Sequence, residues 1–347
     1  MVGNEEKVIS RMLESCYKYI DYYVIQCNGN DSTEKIINDF FREKNIPGFT
    51  YQIEWNFPGW NRDHSLRTCL QSDHGCDWIL RMDADEQLIV EETFDWSLLE
   101  DTSIDSFNVM ADSPGCLYYR TWFWNANRPW TFRHDKRHEC ILLNETEDFI
   151  RISLPKEFRH LITNDGETWV NPTKFLTDAL ELENHHISKG TLLTDPYHFF
   201  YVAKSYNDCY SNNTLPLGYE HQKEYARRCI FYAQQFVDYI NKEDELVYYA
   251  QYMVGNAYKF CKEYYNAIEA YIKSEKYCPI RNEHYCGLAE VYYEIGDYKT
   301  MHEYTSILMR PERKNPFPSV GFVVHSNAYY DTGDYVQYLH NIALQNV

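Results

Sequence analysis

Between residues 5 and 90 the apolar positions switch repeatedly between two spacings. Residues 5–20 set Val8, Ile9, Met12, Leu13 and Cys16 at helical spacing, which predicts a helix capped by Asn4 with Glu5 and Glu6 at the positive end of its dipole. Tyr22 to Cys27 reads as a buried strand, and Asn28-Gly-Asn-Asp-Ser-Thr33 as the polar turn after it. Helical spacing returns from Thr33 to Lys44, with Ile36, Ile37, Phe40 and Phe41 inward. Phe49 to Trp55 alternates at period two, Asn56 to Asp63 is loop, and Arg62 to Ser72 again suits a helix. Trp78 to Met82 then forms an apolar run of strand length that stops at Asp83, Asp85 and Glu86. Strands alternating with helices predict a mostly parallel α/β sheet with right-handed crossovers. Only Met1 and Val2 precede the first turn, so a strand leading into it is nearly all missing or the sheet starts elsewhere.

Ligands of open α/β sheets sit outside the carboxyl ends of the strands. Four polar turns fall there: Gly3-Asn-Glu5, Asn28 to Thr33, Asn61-Arg-Asp63 and Asp83 to Glu86. One such turn means little, but four at one edge describe a nucleotide-binding crevice. If the last strand persists through Asp85, period two puts Asp83 and Asp85 on the same face. Paired carboxylates there suit a hard divalent cation bridging to phosphates. A bare Asp-X-Asp, without that context, reads as a solvated acidic strand end.

Met1-Val-Gly-Asn-Glu-Glu6 before a helix, the Gly/Asp/Thr turn, Asn61-Arg-Asp63 and Trp78-Ile-Leu-Arg-Met-Asp-Ala-Asp-Glu86 together resemble a family-2 glycosyltransferase of GT-A fold. The resemblance covers residues 1 to about 90. It implies a nucleotide-sugar donor, a UDP-sugar, with its diphosphate held through Mn²⁺ or Mg²⁺. Asn4 and Glu5 match the first nucleotide-contacting turn of that family, and Asp31 and Thr33 match the turn after the second strand. Gln26 stands where many relatives have a base-reading Asp, and it still offers a donor and an acceptor. Arg62 matches the Arg of an Ala-Arg-Asn segment, with Asn61 and Asp63 replacing its neighbours; the plainer reading of Arg62 is a surface ion pair. Asp83 and Asp85 fall on the metal-binding pair, and Asp83 also reaches the donor.

Farther on, Phe107 to Met110, Leu117 to Trp124 and Glu139 to Leu143 predict strands. Tyr118-Tyr-Arg-Thr-Trp-Phe-Trp124 suits stacking on sugar rings or, equally, an aromatic core hairpin. Relatives with a helical-repeat extension carry a His-Glu pair where His138-Glu139 stands. Inverting transfer to a hydroxyl needs a carboxylate base, so Glu139 is the first choice, with Asp112 and Asp135 behind it. His185 and His186 stand where relatives complete the metal shell, and at most one of two adjacent residues reaches an ion; a capping or core His is the alternative.

The net charge of −19 repels polyanions and argues against nucleic acid as a partner. No apolar run approaches membrane-spanning length and no signal-peptide pattern opens the chain. The eleven cysteines form no Cys-x-x-Cys pair, which argues against a zinc ribbon or disulfide scaffold and for reduced thiols in a cytoplasmic setting. The three Asn-x-Ser/Thr matches are then chance, and the 32 tyrosines read as compositional bias.

After Asp195-Pro196 the texture turns helical. Tyr258-Lys-Phe-Cys-Lys-Glu-Tyr264 recurs as Tyr292-Tyr-Glu-Ile-Gly-Asp-Tyr298 and Tyr329-Tyr-Asp-Thr-Gly-Asp-Tyr335, at spacings of 34 and 37. That period, with Gly-Asp-Tyr between two helices, resembles tetratricopeptide repeats. Pro279-Ile-Arg-Asn-Glu283 also resembles the extension on certain family-2 enzymes.

These readings predict a GT-A catalytic domain over 1–194 and an all-α repeat domain over 195–347. The expected activity is metal-dependent, inverting hexosyl transfer from a nucleotide sugar to a hydroxyl on a glycan or protein. The repeats imply a protein partner, self-association, or a buttress for the first domain. Two alternatives remain: a repeat-based interaction protein on a decayed transferase domain, and a nucleotidyltransferase. The latter wants a basic Gly-rich loop where Gly3-Asn-Glu-Glu6 is acidic.

Overall fold

The computed structural model describes residues 1–113, 116–132, 141–143, 149–166, 173–190, 192, 195–211, 218–242, 244–310, 319–320 and 334–346. Two compact units divide the chain, one built from 1–114 and 118–171, the other from 172 onward with 115–117. The expected boundary lay near 194, so the helix Lys174–Lys189 groups with the repeats instead.

In the first unit, α1 (Ile9–Cys16) buries Ile9, Met12, Leu13 and Cys16, the stripe its spacing dictates. It starts later than expected because Asn4 does not cap it. The Asn4 Oδ1 accepts from the backbone N–H of Asn30 at 2.8 Å instead, holding the N-terminal turn to the turn after β1. β1 (Tyr23–Gln26) pairs in parallel with β2 (Gly48–Tyr51), and α2 (Thr33–Lys44) crosses between them, burying Ile37 and Phe41. Val2 adds a single parallel bridge to Cys27. α3 spans Pro58–Leu70.

The remaining strands are β3 (Trp78–Leu80), β4 (Glu86–Val90), β5 (Ser106–Ser113), β6 (Cys116–Asn125), β7 (Trp130–Phe132), β8 (Ile141–Leu143), β9 (Arg151–Ser153) and β10 (Phe158–Ile162). They do not extend the β1–β2 pair. A mixed sheet runs β6-β5-β10-β4, with β3 on β6 and β9 on β5. β10 is parallel to β5 but antiparallel to β4, and β3 is antiparallel to β6. The expected GT-A, mostly parallel sheet is therefore corrected to a short parallel pair beside a mixed sheet. The cause is visible at Trp78: its ring lies 4.8 Å from Phe107 and 5.5 Å from Phe123, and its indole N–H donates to Leu99 O at 2.8 Å. Aromatic packing of this kind favours the β6 edge.

From residue 172 onward the described regular elements of the second unit, apart from Ser319–Val320, are helices: α4 (Lys174–Lys189), α5 (Tyr197–Ser211), α6 (Tyr219–Ile240), α7 (Glu245–Phe260), α8 (Tyr264–Glu275), α9 (Glu283–Ile295), α10 (Tyr298–Leu308) and α11 (Asp334–Asn346). Consecutive helices pack as hairpins, α5 with α6, α7 with α8 and α9 with α10, and the first helices α5, α7 and α9 also touch in turn. One apolar core runs through the whole stack. In its two described copies, 258–264 and 292–298, the recurring tyrosine phrase makes the turns, and residues 329–333 of the third lie outside the described residues. Gly296 takes a left-handed conformation (φ 77°) to close α9, and the Asp297 carboxylate accepts from Thr300 N–H at 3.1 Å to open α10. In the earlier copy Lys262 adopts φ 61° in the same role.

Candidate functional site

Asn4, Asp31 and Thr33 come together in adjoining turns that hold one another. The Glu5 N–H donates to Thr33 Oγ1 at 2.8 Å, the Glu6 N–H to Asp31 Oδ2 at 3.1 Å, and the Thr33 N–H to Asp31 Oδ1 at 2.9 Å. Desolvation alone would raise the Asp31 pKa, but the hydrogen bond with the Thr33 side chain and those from the Thr33, Glu6 and Asp31 N–H groups together lower it. Gln26 is fully buried; its amide N–H donates to Asn28 Oδ1, and Tyr51 OH reaches its Oε1 at 3.4 Å. Asp63, the third residue of Asn61-Arg-Asp63, is a strut: its Oδ1 accepts from Phe132 N–H and Thr131 OH, each at 2.8 Å, tying α3 to β7.

Asp83 and Asp85 do not lie on a strand. β3 ends at Leu80, and the pair occupies the bend into β4, so period two does not place them. Arg62 lies 4.0 Å from Asp83 Oδ1, and Arg81 lies 3.5 Å from it. Asp85 is buried, and its Oδ2 makes no hydrogen bond of normal geometry among the described residues. Gly166 closes over it, where a Cβ would sit 3.4 Å from that oxygen. Desolvation first, then the charge of Asp83, raises the Asp85 pKa.

That shift has a definite sign in stability. An acid whose pKa is higher folded than unfolded holds its proton longer in the folded state, so stability falls as pH rises through that window and the penalty persists above it. Asp85→Asn should raise the melting temperature at pH 7, a gain on the order of 1 kcal/mol. The gain should shrink as pH falls toward 4, the range of an ordinary carboxylate. Melts of both proteins across pH check it; a loss of stability at pH 7 would contradict the burial argument.

Next to this bend lies a cluster that sequence reasoning passed over. Glu86 on β4 is 1% exposed and accepts from Arg120 of β6 at 2.7 Å. Arg120 also approaches Nδ1 of the fully buried His160 on β10 at 3.1 Å. Burial first lowers the His160 pKa, against the pull of Glu86, so the ring is held toward neutrality. Arg120 and Arg81 lie over the Trp122 ring at 3.4 and 4.0 Å from its centre. Only the alternation of Tyr118 to Trp124 hinted at this, by setting Arg120 and Trp122 on one face.

Asp112 projects from β5 with Arg159 3.8 Å away. Glu139 and Asp135 lie outside the described residues. His185 and His186 belong to α4 of the second unit, where His186 is buried and stacks on His198 at 3.9 Å. Among the described residues no three His, Cys, Asp or Glu side chains gather around a point that could hold an ion. Asp83 and Asp85 alone do not make up such a group. The thiols are no better placed for chemistry: burial pushes Cys16 and Cys27 up to about 12 and Cys69 up to about 11.

In the second unit the notable surface is on α6, α8 and α11. Phe231 (57% exposed) and Tyr239 (64%) on α6, Tyr265 (86%) on α8, and Tyr338 (59%) on α11 stand outward. Some charges of the stack are matched within it. Lys259 of α7 bonds Glu290 of α9, which also accepts from Tyr335 at 2.7 Å, and Lys204 pairs with Asp208 at 2.5 Å. Burial would lower the Lys204 pKa, but Asp208 more than offsets it and the pKa is raised.

No family model and no curated protein matches the chain. Among solved structures it is similar to MamA, at 16% identity over 50% of this chain and 88% of that one, with a TM-score of 0.32. It is also similar to TTC0263, a thermophilic TPR protein of Thermus thermophilus, at 14% identity over 51% and 79%, again with a TM-score of 0.32. The glycosyltransferase expectation is corrected here. The mostly parallel sheet that it rested on is not formed among the described residues. The expected hexosyltransferase activity goes with it. No described helix is long and apolar enough to cross a membrane.

Proposed function

We propose that the chain is a repeat-based interaction protein whose helical stack binds a protein partner. The observation that supports this is the placement of exposed aromatics. On α5 to α11 the large apolar side chains that are more than half exposed are Phe231 and Tyr239 on α6, Tyr265 on α8, and Tyr338 and Leu344 on α11, whereas the first helices α5, α7 and α9 carry none. A lone exposed aromatic is ordinary. Tyr and Phe recurring on corresponding helices of a stack match the anchors that dominate protein interfaces. The first helices meanwhile spend their charges on one another, as Lys259 and Glu290 do.

Photo-cross-linking tests this reading. A benzoylphenylalanine at Tyr265 should yield a discrete protein adduct in cells, and one at Lys273, a polar position on the same helix, should not. Tyr239→Ser with Phe231→Ser should weaken the purified pair at least tenfold, the scale of losing an interface anchor. Equal labelling from both positions, or unchanged affinity in the double variant, would overturn the proposal. An adduct with a second copy of the chain would make the partner itself.

A further inference from the structure

The helix α11 buries Val336, Leu339 and Ala343 in the core of the stack. It packs on α10 and also touches α9. Two histidines meet at the α10–α11 junction. The ring of His340 on α11 lies 5.0 Å from that of His302 on α10, with 26° between their planes. Both residues are half-buried. Thr305, fully buried on α10, joins them. Its hydroxyl lies 3.2 Å from His302 O and 3.0 Å from His340 Nδ1. A hydroxyl has one proton and a carbonyl only accepts, so that proton goes to His302 O. The hydroxyl then accepts from His340 Nδ1–H. This fixes the neutral tautomer and leaves Nε2 as the atom to which acid adds a proton.

We propose that this pair is an acid-sensitive clasp on α11. With both rings neutral it holds α11 against α10, and proton uptake below about pH 6 loosens that helix from the stack.

Two costs fall on the protonated rings while α11 stays docked. A charge on His340 is partly withdrawn from water, and two imidazolium rings this close repel each other. The charged and titratable groups of the packed helices are engaged elsewhere. On α9, Glu283 and His284 meet Tyr248 of α7, Glu290 bonds Lys259 and Tyr335, and Glu294 accepts from Tyr264. Tyr285 and Tyr292 of α9 face Tyr304 of α10 at 6.1 and 5.6 Å. On α10, Lys299 bears on Asp297, and Glu303 on Tyr304. On α11, Tyr335 stacks with Tyr338, and Asp334 stands at the first position of the helix. Among the described residues the charged neighbour that bears on His340 is therefore His302. Burial first, then His302, lowers the His340 pKa. A histidine whose pKa is lower folded than unfolded loses stability as pH falls through the unfolded value, near 6.5. The loss is complete below the folded pKa. Above the window both states are neutral and the clasp is closed at no cost.

Hydrogen exchange of the full chain at pH 7.5 and 5.5 tests the clasp. Rates are corrected for the intrinsic pH dependence of exchange, and segment 334–346 is read against α6 as an internal reference. On acidification the protection of 334–346 should fall roughly threefold or more beyond any fall in α6. His340→Gln keeps an N–H for the Thr305 hydroxyl and takes up no proton, so it should abolish that excess. His302→Gln removes the repulsion and leaves the burial of His340, so it should shrink the excess without abolishing it. Equal loss in both segments of the unsubstituted protein overturns the proposal. So does an excess that persists undiminished in His340→Gln, which would place the acid response in other groups. If His340→Gln already exposes 334–346 at pH 7.5, His302→Gln decides: an excess as large as that of the unsubstituted protein overturns the clasp.

Discussion

Tyr271→Ala should destabilise the helical stack by about 3–5 kcal/mol, the cost of deleting a large buried aromatic. For a unit of this size that is a drop of roughly 6–20 °C in melting temperature. Tyr271 on α8 is fully buried between two first helices, and its hydroxyl donates to Asn256 Oδ1 at 2.7 Å. Gly255 of α7 and Gly287 of α9 make room for it: a Cβ at either would lie 2.5 Å from the ring. The ring is therefore the wedge that sets how one hairpin sits on the next. Alanine leaves a void that helices held apart by two glycines cannot easily close. Gly287→Ala should destabilise from the other direction, by about 1–3 kcal/mol of overpacking. Circular dichroism melts at 222 nm measure both. A Tyr271→Ala loss below about 1 kcal/mol would show that the wedge carries little.

The same residues show what the sequence made legible. Elements with strong local signals were readable: α2 spans Thr33–Lys44 as its periodicity dictates, and Gly-Asp-Tyr marks the turn into α10. Sheet connectivity was not, because pairing partners are chosen by non-local packing. Nothing local in Trp78–Leu80 says that it will prefer the Phe123–Asn125 edge to the neighbourhood of β1. The bend at Asp83 was missed for a related reason: an apolar run does not say where its ladder stops. The tyrosines looked like compositional bias, yet Tyr206, Tyr248 and Tyr271 are fully buried and each bonds a polar group of its own unit: Glu183, Glu283 and Asn256. A tyrosine that is both wedge and donor has no sequence mark beyond its frequency. Polar turn residues carry two meanings at once. Asn4, Asp31 and Thr33 carry the residue types that bind ligands, but those types also suit turns that close on themselves, as they do here.

Arg281→Met should cost about 3–5 kcal/mol, and adding Glu283→Gln should recover most of it. Pro279-Ile-Arg-Asn-Glu283 looked like a family signature; in the structure it is an internal bolt. Arg281 is 3% exposed and Glu283 fully buried. The guanidinium donates to both Glu283 oxygens, to Oε2 at 3.2 Å, and reaches Glu245 Oε1 of α7 at 3.0 Å. Tyr248 of α7 donates to Glu283 Oε2 at 3.1 Å, and the Asn282 N–H does so at 3.2 Å. Removing the cation alone strands a buried carboxylate, which is why breaking one side of such a pair is expensive. Removing both charges leaves an amide in place of the carboxylate, with the Tyr248 hydroxyl and the backbone N–H still in reach of its carbonyl. The desolvation of the ion pair then disappears from the balance. A double-mutant cycle by urea unfolding, read in the helical signal, measures the coupling directly. A double variant as unstable as Arg281→Met would mean that the arginine acts through its packed stem and its bond to Glu245, and that the buried pair does not hold α9 to α7.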